Sequence, residues 1–183
     1  MKTNYFKEEL KKHVKQVLIT EKQIKKGIKR AAKFIDNLYD GKPIVLVSIL
    51  KGSFIFLADV CRELTVPSEI DFMCAKSYYE GTTTTGKVNI VMDLHRDIKD
   101  CHVVIIEDIV DTGRTLTDIL KLLKDRGPAS LHVVTLLDKP SRRLVDFSAD
   151  LSLFVIPDLF VVGYGLDCAE LFRSMPYIAE FGG

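Results

Sequence analysis

Residues Ile44–Leu50 read IVLVSIL, an almost unbroken apolar run of strand-forming residues. A strand with one wet face alternates apolar and polar side chains, and this one does not, so the run predicts a strand buried on both faces. Val103–Ile106 (VVII) and Leu131–Leu137 (LHVVTLL) have the same character. Between these runs lie stretches of helical composition. One covers about Phe54–Leu64 and another about Thr115–Asp125, the latter stopping near Gly127-Pro128. Shorter strands are expected at Ile70–Ala75, Val88–Asp93, Leu151–Val155 and Phe160–Val162. Strands that alternate with helices make a mainly parallel sheet with helices on both faces, an α/β fold. The 183 residues show no repeat, linker or low-complexity tract, so a single domain is expected.

Composition excludes several classes of function. No apolar run approaches the roughly 20 residues of a membrane span. The first residues, MKTNYFKEELKKHVKQ, mix both charges and lack the apolar stretch of a secretory signal, so the cytoplasm is the expected location. Cys61, Cys74, Cys101 and Cys168 form no CxxC pair and lie in or beside apolar sequence, as buried free thiols do. His13, His95, His102 and His132 do not complete a zinc pattern with them.

The net charge of +1 conceals an asymmetry. Residues 1–33 hold eleven Lys or Arg against three Glu, a local net of +8 that leaves −7 for the remainder. Ile24, Ile28, Ala31, Ile35 and Leu38 recur at helical spacing within and after this segment, which predicts an amphipathic helix with its lysines in water. No aromatic residues interleave with the basic ones to stack on bases, so nucleic acid is not the expected partner.

The chemistry concentrates in Val103–Thr115, VVIIEDIVDTGRT. A buried strand ends in two adjacent acids, Glu107 and Asp108, and a short loop with hydroxyls and one glycine then opens a helix. Backbone N–H groups at the helix N-terminus suit a phosphate. Thr112 and Thr115 add hydroxyl donors, and Gly113 allows close approach. Two carboxylates beside a phosphate must engage something else, and a ribose diol with a divalent cation fits. Asp111 or Thr112 could also serve as an ordinary helix N-cap, which accounts for one residue of the cluster.

This run resembles the phosphoribosyl-pyrophosphate motif of type I phosphoribosyltransferases, in the form carried by the hypoxanthine-guanine branch. Leu50-Lys51-Gly52, Ser77-Tyr78, Leu137-Asp138-Lys139 and Phe160–Asp167 (FVVGYGLD) with Arg173 are similar to that branch as well, so the resemblance spans about residues 45–175. It implies transfer of the 5-phosphoribosyl group from phosphoribosyl pyrophosphate to hypoxanthine or guanine, releasing pyrophosphate.

Residue by residue, the resemblance implies that Glu107 and Asp108 hold the ribose hydroxyls and a metal, and that Asp111–Thr115, including Arg114, cradle the 5′-phosphate. Asp111 takes the proton of the attacking purine nitrogen, or stabilises that nitrogen while it is protonated. The Leu50–Lys51 peptide, often cis in that family, and Gly52 meet the pyrophosphate, as does Arg173. Asp167 ligates Mg²⁺, the implied cofactor. Lys139 donates to the 6-oxo oxygen, Phe160 stacks on the purine and the Val161 backbone meets its edge. Taken alone, Lys51 reads equally as a loop lysine, Phe160 as core and Asp167 as a surface acid.

Ser77 and Tyr78 become a lid that shields a cationic ribose from water. A hood is expected from the N-terminal segment and about residues 139–183, and a homodimer or homotetramer is the implied assembly. Preference for xanthine, or a phosphoribosyl-pyrophosphate-sensing regulator that binds nucleic acid, are the alternatives.

Overall fold

The computed structural model describes residues 8–76 and 88–183. Its elements in chain order are β1 (Val14–Ile19), α1 (Glu21–Tyr39), β2 (Ile44–Leu50), α2 (Phe54–Glu63), β3 (Ser68–Lys76), β4 (Asn89–Met92), β5 (His102–Val110), α3 (Arg114–Lys124), β6 (Ser130–Asp138), β7 (Leu151–Val155), β8 (Val161–Val162) and β9 (Ile178–Phe181). A six-stranded sheet has the order β4-β3-β2-β5-β6-β7. Every pair in it is parallel except β3–β4.

The central position of β2 explains its sequence. Ile44 and Leu46 enter one core with residues of α1 and α2, while Val45, Val47 and Ile49 enter a second core with Leu116, Ile119 and Leu123 of α3. Both faces are dry, so alternation would place a polar group where no water reaches it.

Helix α1 begins at Thr20, whose hydroxyl accepts from Gln23 N while the Gln23 side chain bonds back to the Thr20 backbone, a capping box. Ile24, Ile28, Ala31 and Ile35 are buried as the periodicity predicts, and Lys22, Lys25 and Lys29 are exposed. Leu38 is not buried: it is 40% exposed, and Tyr39, four residues after Ile35, takes the inward position at 3%.

Strand β5 runs four residues past Ile106. Glu107 pairs with Thr135, Ile109 with Leu137 and Val110 with Asp138 of β6. Glu107 and Asp108 therefore lie in the strand itself, not in the loop after it, because β6 continues to supply ladder partners as far as Asp138. The four cysteines are free but only partly buried.

A second sheet of three antiparallel strands, β1-β9-β8, was not expected at β1 or β9. Leu10, Val162, Phe172 and Met175 form its own apolar cluster, with Phe181 packed against them.

Candidate active site

The carboxyl ends of β2, β5 and β6 converge on one rim, where parallel sheets place their ligands. Glu107 and Asp108 are half-buried there. Glu107 Oε2 is buried and has no hydrogen-bond partner among the described residues. Asp108 Oδ1 accepts from the Ile109 N–H at 2.8 Å. Burial, then the neighbouring Asp108 charge, pushes the Glu107 carboxyl well up. Burial also raises Asp108 to about 6, opposed by backbone N–H groups and by Arg173, with Asp167 adding to the rise. Two desolvated carboxyls with an orphaned oxygen fit a divalent cation and a diol, since either would satisfy them. Mg²⁺ is thus compatible with the donor set.

Facing these acids is the turn after β2, where the Leu50–Lys51 peptide is cis. A Cβ on Gly165 (φ +100°) would come within 2.0 Å of the Gly52 carbonyl oxygen, so the FVVGYGLD segment presses backbone to backbone on this turn. Arg173 sits behind it. Its Nη1 donates to the Gly165 carbonyl at 2.8 Å, and its Nη2 meets Asp167 Oδ1 at 2.8 Å and Glu170 Oε2 at 3.3 Å. Arg173 Nε is buried without a partner among the described residues. Lys51 Nζ reaches Glu170 Oε2 at 3.0 Å. These two cations lie across the turn from the carboxylates, so the rim holds charge of both signs.

The loop Asp111–Thr115 enters α3 through Gly113, the N-cap residue, at φ 80° and without a side-chain cap bond. Neither Asp111 nor Thr112 is the N-cap, which falls at Gly113. Thr112 Oγ1 accepts only a long 3.4 Å bond from Arg114 N. A Cβ at Gly113 would lie 2.9 Å from Val145 Cγ2 and 3.1 Å from Arg143 Cδ. The first-turn N–H groups of α3, which have no intrahelical partners, and the positive dipole end are available to an anion. Thr115 is half-buried and Arg114 exposed. Asp111 Oδ1 accepts from Arg142 Nε at 2.8 Å, and its carbonyl accepts from Arg143 Nη1 at 2.6 Å.

Lys139 follows β6. Its backbone N–H bonds Val110 O at 2.9 Å, and its Nζ donates to Leu159 O at 2.7 Å. The lysine is 7% exposed, which holds its ammonium in a defined place. Phe160 is 57% exposed and meets Phe181 edge-on with ring centroids 5.7 Å apart. It is not a core residue. A large aromatic face left in solvent and braced from the side suits stacking. Val161 is buried and pairs with Glu180.

The rim thus gathers Lys51, Gly52, Glu107, Asp108, Asp111–Thr115, Asp167 and Arg173, and Lys139 follows β6 beside Val110 with its Nζ on the carbonyl next to Phe160. Ser77 and Tyr78 lie outside the described residues. Sequence reasoning missed Arg142, Asp158 and Glu170, whose partners are supplied only by folding. Gly165 carries a signal in the sequence, the spaced glycines of VVGYGLD.

Fold and site define a phosphoribosyl transferase domain, and the family model of that description matches residues 13–169. A hypoxanthine phosphoribosyltransferase of Salmonella typhimurium is 48% identical over 171 residues, covering 92% of this chain and 96% of the relative. A hypoxanthine-guanine phosphoribosyltransferase of Staphylococcus aureus is 48% identical over 165 residues, covering 90% and 92%. The crystal structure of a Staphylococcus aureus hypoxanthine phosphoribosyltransferase matches with a TM-score of 0.90 at 44% identity, over 99% of this chain and 96% of that one. The chain belongs to the hypoxanthine-guanine phosphoribosyltransferase family.

Proposed function

We propose that the chain transfers the 5-phosphoribosyl group of phosphoribosyl pyrophosphate to hypoxanthine or guanine, giving IMP or GMP and pyrophosphate in purine salvage. The observation that carries this reading is the position of Asp111. It lies two residues before Gly113, the N-cap of α3, and next to Val110, whose carbonyl accepts from the N–H of the buried Lys139 at 2.9 Å.

In this reading Glu107 and Asp108 orient the ribose, and Asp111–Thr115 hold the 5′-phosphate. The imidazole-ring nitrogen of the purine bonds to the anomeric carbon as the bond from that carbon to the pyrophosphate oxygen breaks, and the bonding pair leaves with pyrophosphate. Asp111 receives the proton of the attacking nitrogen. Lys51, Gly52 and Arg173 receive the pyrophosphate. Glu107, Asp108 and Asp167 are the carboxylates that would hold Mg²⁺, which would supply charge neutralisation to the departing group. Lys139 donates to the 6-oxo oxygen, and an amino group at that position offers no acceptor, which disfavours adenine. Phe160 stacks on the base and the Val161 backbone meets its edge. The β1-β9-β8 sheet is the hood of the site. A homodimer or homotetramer in the cytoplasm completes the picture.

Asp111→Asn tests the chemical core of the proposal, because it keeps shape and removes basicity. Turnover is expected to fall by on the order of 10²-fold or more while phosphoribosyl pyrophosphate binding by calorimetry holds. Near-normal turnover would remove Asp111 from the chemistry.

A further inference from the structure

Arg143 has no part in the roles assigned above, yet it is tied directly to the loop that carries Asp111. It follows the short turn Pro140–Arg142, which leads away from Asp138 at the end of β6. Its guanidinium forks. Nη1 donates to the Asp111 carbonyl at 2.6 Å, and Nη2 donates to the Asp138 carboxylate. The two side chains of that ion pair are only 14% and 15% exposed. The guanidinium carbon also lies 5.9 Å from the centroid of the Phe147 ring.

Asp138 is a fixed point in the sheet. It pairs with Val110 and Val155, and its carbonyl accepts from Ile156 N at 2.9 Å. Arg143 therefore fastens the Asp111 backbone to the sheet. The next residue adds a second tie, since Leu144 N donates to the Thr112 carbonyl at 3.0 Å. Under Gly113 the fit leaves no slack: a Cβ there would lie 2.9 Å from Val145 Cγ2 and 3.1 Å from Arg143 Cδ. In a planar trans peptide the C=O and N–H point to opposite sides. With the Asp111 and Thr112 carbonyls turned toward residues 143 and 144, the N–H groups of Thr112 and Gly113 are turned away from them. Successive N–H groups leading into a helix N-terminus make a phosphate cradle.

We infer that Arg143 is a positioning residue for the 5′-phosphate: it holds the Asp111 carbonyl to the sheet and so presets the N–H groups of the loop for the anion. The choice of anion rests on the functional reading above. Arg143 itself touches no substrate. Its planar fork serves two acceptors at once, whereas a lysine ammonium is a point charge.

Arg143→Ala would strand the buried Asp138 carboxylate, so two other variants carry the test. Arg143→Lys keeps the pair with Asp138 and gives up the fork. Arg143→Met combined with Asp138→Asn removes both charges together. Binding of ribose 5-phosphate by calorimetry needs no turnover, and both variants are expected to bind it about 10-fold more weakly than wild type, as when the competent loop falls to about a tenth of the population. In the assay with hypoxanthine, KM for phosphoribosyl pyrophosphate should rise by a similar factor. KM for hypoxanthine should stay within about twofold, and kcat within about threefold, because bound phosphate draws the loop back. A general loss of structure would not produce that split. Wild-type affinity for ribose 5-phosphate in either variant, or the two KM values rising together, would overturn the assignment and leave the functional reading intact. A wild-type chain that binds ribose 5-phosphate, loses that affinity in both variants and forms no nucleotide would end the functional reading and keep Arg143 in its role.

Discussion

A Cβ placed on Gly52 would lie 1.5 Å from Asp108 Oδ2, so the turn after β2 and the carboxylate on β5 touch with no room for a side chain between them. The glycine does not serve a left-handed turn at this position; it serves contact. Gly52→Ala must displace the Asp108 carboxylate or the turn. A misplacement of about 1 Å at a reacting centre costs on the order of 10²-fold in rate. We expect a loss of that size in kcat/KM for phosphoribosyl pyrophosphate, with overpacking costing about 1–3 kcal/mol of stability. Steady-state kinetics and a melting curve on the same preparation check both, and an alanine enzyme of wild-type efficiency would show that Asp108 tolerates the shift.

In the proposed reading, discrimination between 6-oxo and 6-amino purines depends on Lys139. Lys139→Ala removes the donor and opens space where a buried ammonium meets Leu159 O. Use of hypoxanthine and guanine should weaken by about 10-fold or more, and their advantage over adenine should narrow. An unaltered base profile would put Lys139 outside the pocket.

The small sheet carries a pH-dependent tie. Glu180 receives Lys15 Nζ and Gln16 Nε2, each at 2.8 Å, joining β9 to β1. The Lys15 bond, then the Gln16 bond, holds the Glu180 carboxyl below its ordinary range. A carboxyl whose folded value is depressed adds stability above its unfolded value, near pH 4.3, and loses it as pH falls through the folded one. Glu180→Gln should therefore melt below wild type at pH 7, and the two curves should converge as pH drops through the carboxylate range. A gap that persists at pH 2.5 would assign the effect to packing.

The parallel strands were legible because burial on both faces leaves an apolar run that little else produces. β1 was not, and its register shows why: irregularities between Val14 and Gln16 and between Val17 and Ile19 break the two-residue period. β9, Ile178–Phe181, reads IAEF, and its buried Glu180 interrupts any apolar run. Within the site, the loop chemistry of Asp111–Thr115 could be read because strand, loop and helix are contiguous. The Arg142–Asp111 contact could not, since 31 residues separate the pair and the fold alone brings them together. Phe160 read singly as core, and only its exposure in the structure turns it toward a ligand.

The basic segment is expected to be solvated surface. Lys22, Lys25 and Lys29 are exposed on α1, and Lys25 pairs with Glu21 at 2.6 Å on that surface. Reversing all three to Glu should leave turnover within about threefold and change stability by under about 0.5 kcal/mol per site. Filter binding with RNA and DNA should show weak affinity that collapses with salt. Sequence-specific binding that survives near-physiological salt and depends on these lysines would instead give the segment a regulatory role.

The central claim is the transfer itself, and a base panel tests it most directly. Purified protein with phosphoribosyl pyrophosphate and Mg²⁺ is incubated with hypoxanthine, guanine, xanthine or adenine, and nucleotide and pyrophosphate are quantified by chromatography. The account predicts stoichiometric IMP or GMP and pyrophosphate, little or no AMP, and loss of product when Mg²⁺ is chelated. Formation of AMP in preference to IMP and GMP, or no nucleotide from any 6-oxopurine, would contradict it.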